Sequence, residues 1–225
     1  MAPRVLSLNV GAAEPNPAKD VSSTGIRKRP VASALLRPPG PKQTGAGSGL
    51  AGDFVGDMAH HGGDGQAVYA FAREELDRWA ERLGRELPNG MFGENLTTAG
   101  LDVDAGLIGD RWSVGNEVVL EVTGPRIPCA TFQHRMREPG WLKRFTEVGR
   151  TGAYLSIATS GTVRAGDEIA LVSRPDHDIT LPLAFRAFMG DRAAAGRVLA
   201  AGCLPGDDAA WLRGRLERQA PSRDG

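Results

Sequence analysis

The sequence predicts a mainly β fold (class α+β) with helical insertions, followed by a small C-terminal unit of three helices. Three observations lead to this fold class. Over residues 1–173, short apolar runs rich in β-branched residues alternate with Gly- and Pro-rich turns, which is typical of a β-barrel. Within that part, one or two stretches have the apolar spacing of a helix. After residue 178 the chain becomes rich in Ala, Leu and Arg.

The strands are predicted where an apolar run is bounded by turn residues. They are Arg4–Val10, Val31–Leu36, Ala67–Phe71, Glu117–Val122, Tyr154–Ala158 and Ile169–Val172. Helices are expected at Arg73–Leu83, which has one apolar face, and at Glu138–Val148. Residues 37–52 are dense in Pro and Gly and should form an irregular, mobile loop.

The C-terminal unit is separated from the barrel domain by a polar linker that contains Pro175. We therefore divide the chain into a barrel domain, residues 1–173, and a three-helix domain, residues 178–219. The helices are predicted at 181–189, 192–201 and 207–218. Asp191 and Asp207 are the expected N-caps of the last two helices. So small a unit has little core of its own and should pack on the barrel.

Composition argues against several classes of function. The 27 basic residues balance the 27 acidic ones, so no overall field recruits nucleic acid or a membrane. No stretch approaches the ~20 apolar residues of a membrane span, and we expect no signal peptide. Two cysteines cannot form a disulfide framework. We expect a cytoplasmic protein that acts on a small molecule, without nucleic-acid or membrane partners.

Cys129 is the leading candidate for a reactive residue. It ends a Pro-containing loop that follows a predicted strand, with Arg126 before it and His134 after it. Nearby cations favour the thiolate, which is the form that attacks, carries sulfur or binds a soft metal. The alternative is a buried cysteine that acts as a small apolar residue, and we assign that role to Cys203.

Basic residues and glycines suggest where an anionic ligand could bind. Lys28, Arg29 and Arg126 are candidates for a phosphate site, because ammonium and guanidinium groups form charge-assisted hydrogen bonds with phosphate. His61 and Gly62 lie in a segment whose glycines allow close approach of the backbone to a ligand. The alternatives are solvated basic side chains and a purely structural turn.

The segment Gly93-Glu94-Asn95 could hydrogen-bond a heteroaromatic ring, because an amide matches the donor and acceptor edge of a pterin. The alternative is that these side chains satisfy the local backbone groups of a turn. Two histidines at 60 and 61 also raise the alternative of zinc, but their ligand set is incomplete.

Together these motifs resemble the MOSC domain, which is named after the C-terminal part of molybdenum cofactor sulfurases. The motifs are, in chain order, Thr24-Gly25-Ile26-Arg27-Lys28-Arg29-Pro30, Gly56-Asp57, His60-His61-Gly62-Gly63, Ala67-Val68-Tyr69, Phe92-Gly93-Glu94-Asn95-Leu96, Gly109-Asp110 and Pro125-Arg126-Ile127-Pro128-Cys129. The C-terminal unit resembles the three-helix domain of bacterial stand-alone members. The resemblance covers residues 4–218 and implies a β-barrel that binds molybdenum cofactor, a metal held by a pterin dithiolene with a phosphate tail.

For a stand-alone bacterial member, the resemblance implies reduction of N-hydroxylated bases and related N-oxygenated compounds, with electrons from a separate protein. It implies Cys129 as the metal ligand, and no requirement for pyridoxal phosphate is expected. The remaining cofactor-binding candidates are Lys28, Arg29, His61, Gly62, Gly93, Glu94, Asn95 and Arg126. The first alternative is a sulfur-transfer or cofactor-carrier protein with a persulfide on Cys129. The second is a zinc hydrolase that uses His60 and His61.

Overall fold

The computed structural model describes residues 2–20 and 22–218. The strands of this part are β1 Arg4–Gly11, β2 Glu14–Pro15, β3 Ser23–Thr24, β4 Lys28–Val31, β5 Ser33–Leu36, β6 Val68–Ala72, β7 Leu96–Ala99, β8 Arg111–Val114, β9 Val118–Pro125, β10 Ala153–Thr159, β11 Gly161–Arg164 and β12 Ile169–Ser173. Its α-helices are α1 Arg73–Leu83, α2 Ala130–Met136, α3 Trp141–Val148, α4 Leu181–Met189, α5 Arg192–Ala201 and α6 Gly206–Arg218. The predicted class, a β structure with helical insertions and three C-terminal helices, is confirmed.

Eight strands form one large sheet in the order β12-β8-β9-β10-β6-β7-β1-β4. Among the described residues no ladder joins the end strands β4 and β12, so the expected β-barrel is not closed. A short seam partly replaces that ladder. The Val5 amide donates to the Asp167 carbonyl (2.9 Å), and the Gly166 amide donates to the Val5 carbonyl (2.8 Å). The sheet therefore curls until the beginning of β1 meets the segment before β12.

The strand expected at Val31–Leu36 is two strands. Residues 28–31 pair with β1, whereas residues 33–36 pair with β11, and the chain changes partner at Ala32. The basic group thus extends into a strand, in which successive side chains point to opposite faces. Lys28 and Arg29 consequently cannot face the same cavity.

Helix α1 has the predicted bounds and ends at Gly84, whose φ of 63° is the left-handed conformation typical of helix ends. The sequence did not predict α2, which begins directly after Cys129. Helix α3 begins at Trp141 and not at Glu138, because Gly140 precedes it in the left-handed region with a φ of 64°.

An aromatic cluster holds these insertions together. Trp79 of α1, Phe132 of α2 and Trp141 of α3 meet around Phe92, with ring centres 4.6 to 6.5 Å apart. All four rings are buried. Burial of such rings stabilises the fold by roughly 1.5–3 kcal/mol each. The cluster therefore fixes the position of α2 and of the residue that precedes it.

The C-terminal helices α4–α6 share a hydrophobic core with the large sheet, through fully buried residues such as Leu181, Val198 and Leu212. Asp191 caps α5 by accepting the Ala194 amide (3.0 Å), as predicted. The cap predicted at Asp207 is wrong, because α6 already begins at Gly206. Residues 1 and 219, the outer limits of the predicted domains, lie outside the described residues. No α-helix within those residues has the length and apolar character to cross a membrane.

Candidate functional site

A cavity opens beside Cys129, the residue directly before α2, and holds about 730 Å³ of space, counting its open mouth. Its walls come from residues 23–28, 53–57, 61–66 and 92–95, and from β6 and β10. Seven of the nine predicted site residues line it: Lys28, His61, Gly62, Gly93, Asn95, Arg126 and Cys129. Residues from six separate segments thus converge on one thiol.

The Cys129 thiol is half-buried and lies in a cationic environment. Burial acts to raise its pKa, but a hydrogen bond from His61, the charges of Arg126 and His61, and the Phe132 amide outweigh burial. The pKa falls from its ordinary 9.0 to about 6. The thiolate, which is the nucleophilic and metal-binding form, therefore predominates at neutral pH.

The histidine beside this thiol is His61 and not His134, the one that follows it in sequence. Helix α2 carries His134 to its C-terminal end, where the side chain is exposed. His60 also points elsewhere: its side chain is 72% exposed and its Nδ1 atom bonds Asp57 Oδ1 (2.9 Å). Across residues 2–20 and 22–218, no group of three His, Cys, Asp or Glu side chains is arranged to hold a metal ion. The predicted alternative of a zinc site therefore has no ligand set here.

Arg126 is a buried cation without a carboxylate partner among the described residues. Its Nη1 atom donates to the Phe92 carbonyl (3.0 Å), and its guanidinium lies 3.6 Å from the Phe132 ring centre and 5.3 Å from that of Tyr69. A buried charge is costly unless it is compensated. Burial acts to lower the pKa of Arg126, but the neighbouring Tyr69, Tyr154 and Cys129 outweigh burial and raise it. The remaining donors favour an anionic ligand.

Lys28 reaches the cavity but is already paired with Asp53, and the two side chains are 6% and 1% exposed. Asp53 also accepts hydrogen bonds from Ser48 Oγ (2.7 Å), Asn95 Nδ2 (2.9 Å) and the Gly11 amide (2.6 Å). The carboxylate thus ties four segments into one wall. Sequence reasoning missed Ser48, because it treated residues 37–52 as a mobile loop. It also missed Asp53, because the partners of that carboxylate are distant in sequence.

The amide of Asn95 is committed to the protein in the same way. Its Oδ1 atom accepts from the Tyr69 amide (3.1 Å), and its Nδ2 atom donates to the Asn9 carbonyl (3.2 Å) as well as to Asp53. Asn95 lines the cavity, but the N–H donors of its side chain are already hydrogen-bonded to the protein. A contact from this side chain to a pterin stays a prediction.

Two predicted site residues do not line the cavity. Arg29 is exposed on the opposite face of β4. Glu94 is fully buried, where it accepts from the Gly90 amide (2.5 Å), the Phe92 amide (3.0 Å) and Thr97 Oγ1 (2.8 Å). Burial raises the pKa of Glu94. This carboxyl group shapes the loop that carries Gly93 and Asn95, and it does not contact the space beside Cys129.

Gly62 and Gly93 serve backbone geometry. Their φ angles of 79° and 84° lie in the left-handed region that glycine favours. A Cβ atom on Gly62 would lie 2.5 Å from the carbonyl oxygen of Gly47. Close packing of the cavity wall therefore explains the glycine at residue 62 without a ligand.

A basic groove adjoins the cavity on the side of α2. Its wall carries the basic residues Arg27, Arg85, His134, Arg135 and Arg137, together with Glu14, whose carboxylate lies 3.2 Å from Arg27. Burial and the nearby charge of Arg27 lower the pKa of Arg135, although the carboxylate of Glu14 opposes this. The groove shares residues 16, 24, 26 and 131 with the cavity, so the two lie side by side.

Comparisons with known proteins agree with this architecture. The family model described as MOSC domain matches residues 57–170. YflK of Bacillus subtilis, an uncharacterized protein, is 34% identical over 184 residues, which cover 81% of this chain and 79% of YflK. A protein of Gibberella moniliformis named Reductase is 33% identical over 132 residues, or 57% of this chain and 23% of that protein. The crystal structure of YiiM from Geobacillus stearothermophilus has a TM-score of 0.75 at 25% identity and covers 95% of this chain and 99% of its own.

Proposed function

The chain belongs to the MOSC domain family, and from this premise we propose that it binds molybdenum cofactor in the Cys129 cavity. We propose further that it reduces N-hydroxylated bases or related N-oxygenated compounds. The observation that carries the proposal is the buried Arg126, which lacks a carboxylate partner among the described residues and lies beside the ionised thiol. The relative named Reductase supports this class of activity.

The donors of the cavity fit such a cofactor. A thiolate is a soft ligand that suits molybdenum far better than a carboxylate does, and the pKa of about 6 makes Cys129 available as a thiolate. The buried guanidinium of Arg126 suits an anionic, sulfur-rich group. The chain thus offers a metal ligand and a counter-charge side by side.

The phosphate tail has two cationic regions available, Arg126 and the basic groove. Lys28 is a weaker candidate than its sequence position indicates, because the Asp53 carboxylate already neutralises it. In the groove, Arg27 is paired with Glu14 (3.2 Å), whereas Arg135 and Arg137 have the charges that suit a phosphate. We therefore assign the phosphate to the arginines, with Lys28 acting mainly through Asp53 to hold the wall in place.

When bound, the molybdenum cofactor supplies two-electron redox chemistry. In the proposed reaction the substrate N–OH group takes up two electrons and two protons, the N–O bond breaks, and an N–H group and water form. The electrons come from a separate donor protein. His61 is hydrogen-bonded to the thiol and can pass protons to the cavity, because an imidazole can both donate and accept a hydrogen bond. Burial raises the pKa of Tyr154 to about 12, so its hydroxyl stays protonated as a donor.

The test is to purify the protein from a host that makes the cofactor, and to measure molybdenum and pterin per chain. An N-hydroxylated purine and a chemical reductant then report activity. We expect near-stoichiometric metal and turnover, both lost in Cys129→Ser and both kept in Cys203→Ser. Absence of metal and pterin from the parent protein would reject the proposal, and so would full activity of Cys129→Ser.

A sulfur-transfer or carrier role is the second candidate, and the same thiol favours it. An ionised cysteine that lines a cavity can carry a persulfide without turning over an organic substrate. Mass spectrometry separates the two candidates. A sulfur adduct on Cys129, together with a blank reductase assay on the metal-loaded protein, would favour the carrier.

A further inference from the structure

A second cavity adjoins the Cys129 cavity on the side of the C-terminal helices. It lies between residues 59–66, the end of β9 and the helices α4 and α6, and holds about 1170 Å³, counting its open mouth. It shares His61, Gln66 and Tyr154 with the Cys129 cavity. The two cavities are therefore neighbours that meet at these three side chains.

The wall of this chamber is apolar and aromatic. Trp211 of α6 is 47% exposed and leans on Phe188 of α4, with ring centres 5.7 Å apart. Met189 and Ile127 are 40% and 38% exposed in the same chamber. Half of the six large apolar side chains that are exposed in the described part of the chain thus meet here. Such clustering typically marks a binding site.

Polar groups lie at the edge of the aromatic wall. Asp208 is one α-helical turn before Trp211, and Lys42 lies on the facing loop. Burial raises the pKa of Asp208, although the charge of Lys42 opposes this. Arg215 lies 5.3 Å from the Trp211 ring centre. A ring with nitrogen atoms at its edge can stack on the indole and hydrogen-bond these side chains.

We propose that this chamber is the substrate subsite, in which a planar heteroaromatic ring stacks on Trp211 and directs its N–O group towards Cys129. The inference rests on the proposed function and adds the binding site of the substrate ring. A concave chamber that adjoins the thiol cavity suits a small ring better than the flat face of a protein. The C-terminal helices accordingly contribute specificity as well as core.

In the cofactor-free protein, the signals of Trp211 itself can report whether a base binds in the chamber. The other tryptophans, Trp79, Trp112 and Trp141, are between 0% and 3% exposed. Adding adenine or its N-hydroxylated derivative should shift one indole N–H NMR signal, the one that is missing in Trp211→Phe. The same additions should protect Trp211 from collisional quenching by iodide. An unchanged Trp211 signal at saturating base would overturn the proposal.

Kinetics of the metal-loaded enzyme with a chemical reductant provide a second test of the subsite. Trp211→Ala should raise KM for the N-hydroxylated base by about tenfold, the scale of one lost stacking contact, while kcat changes little. Trp211→Phe should stay within about twofold of the parent. Arg213→Ala, on an exposed position of α6 outside the chamber, is the matched control. Met189→Ala should give a smaller rise and confirms the site if Trp211→Ala folds poorly.

The remaining outcomes separate this inference from others. Trp211→Ala could alter KM for a protein electron donor but leave base binding and the reaction with the chemical reductant unchanged. In that case the chamber docks a protein, and the substrate subsite is rejected. If the parent protein holds no molybdenum but its Trp211 signal still responds to the base, the ring site stands and the reductase proposal fails. If metal and turnover are present while Trp211 does not respond, the reductase stands and the subsite fails.

Discussion

Cys129 and Cys203 are both free and both half-buried, yet the protein shifts their pKa values in opposite directions. Burial acts to raise the pKa of each thiol. Around Cys203, in the turn between α5 and α6, burial prevails and the pKa rises. Around Cys129, the hydrogen bond from His61 and the charge of Arg126 prevail and the pKa falls. The comparison shows that exposure says little about a thiol, whereas its polar neighbours decide its chemistry.

The largest expected difference is in reactivity. At pH 7 we expect iodoacetamide to alkylate Cys129 on the order of ten times faster than Cys203, because reaction requires the thiolate, and the lower nucleophilicity of a low-pKa thiolate offsets only part of this gain. Cys129 should show a midpoint near its pKa of about 6. Mass spectrometry of the labelled peptides across a pH series measures both rates. Equal rates for the two cysteines would break the comparison.

The second difference is in the pH dependence of stability. The folded pKa of Cys129 lies below its ordinary 9.0, so its contribution is fully present above pH 9 and is lost as the pH falls through about 6. Cys203 should contribute in the opposite direction, losing stability as pH rises through its ordinary range, because its folded pKa is raised. For Cys129 we expect about 2 kcal/mol, allowing for solvent screening of a half-buried group.

Urea unfolding of the parent, Cys129→Ser and Cys203→Ser at pH 6 and pH 9 measures this contribution. The stability gap between the parent and Cys129→Ser should widen towards pH 9. A gap that narrows with rising pH would contradict the depressed pKa.

The third prediction isolates the cause of the difference. Removal of the imidazole in His61→Ala should raise the alkylation midpoint of Cys129 by about one pKa unit and slow its labelling at pH 6 about fivefold, because the thiolate fraction falls from about one half to about one tenth. His60→Ala is a matched control, because that side chain is 72% exposed and bonds Asp57. The pH profile of labelling distinguishes the two variants. If His60→Ala slows labelling as much as His61→Ala does, the effect comes from a change in the loop and not from loss of the His61 imidazole.

The smallest effect is expected at the other cysteine. Cys203 packs at the edge of the core, so Cys203→Ser should lower the unfolding free energy by about 1 kcal/mol or less. The alkylation midpoint of Cys129 should not change. Thermal or urea unfolding, together with labelling of Cys129, measures both quantities. A shifted Cys129 midpoint would show that the two regions are coupled.

The sequence alone was sufficient to predict the elements whose ends are marked by nearby residues. Helix α1 has a clear apolar face, and α5 begins at a capping Asp191 and ends at Gly202, so their bounds could be read directly. Helix α2 could not, because it spans seven residues and its cap position, Cys129, makes no side-chain capping bond. Packing of Phe132 in the aromatic cluster stabilises α2, and the chain pattern does not show that contact.

The residues of the site fall into the same two groups, those predictable from nearby sequence and those that are not. Arg126 and Cys129 are three residues apart, so their association follows from the chain itself. The partners that modify the cavity come from far along the chain: Asp53 pairs with Lys28, and His61 reaches a thiol 68 residues later. Long-range pairing leaves no periodic signal, which is why His134 was expected beside the thiol and Asp53 was not expected at all.

The seam between β1 and residues 166–169 has a consequence for how the protein is made. The first strand remains without part of its hydrogen-bonding partners until residue 169 has been synthesised, since Val5 bonds Gly166 and Asp167. Contacts of such long sequence separation slow folding and leave a strand edge exposed during translation. Nascent chains that stop before this segment should therefore be protease-sensitive on the ribosome, and they should acquire resistance only after the segment leaves the exit tunnel.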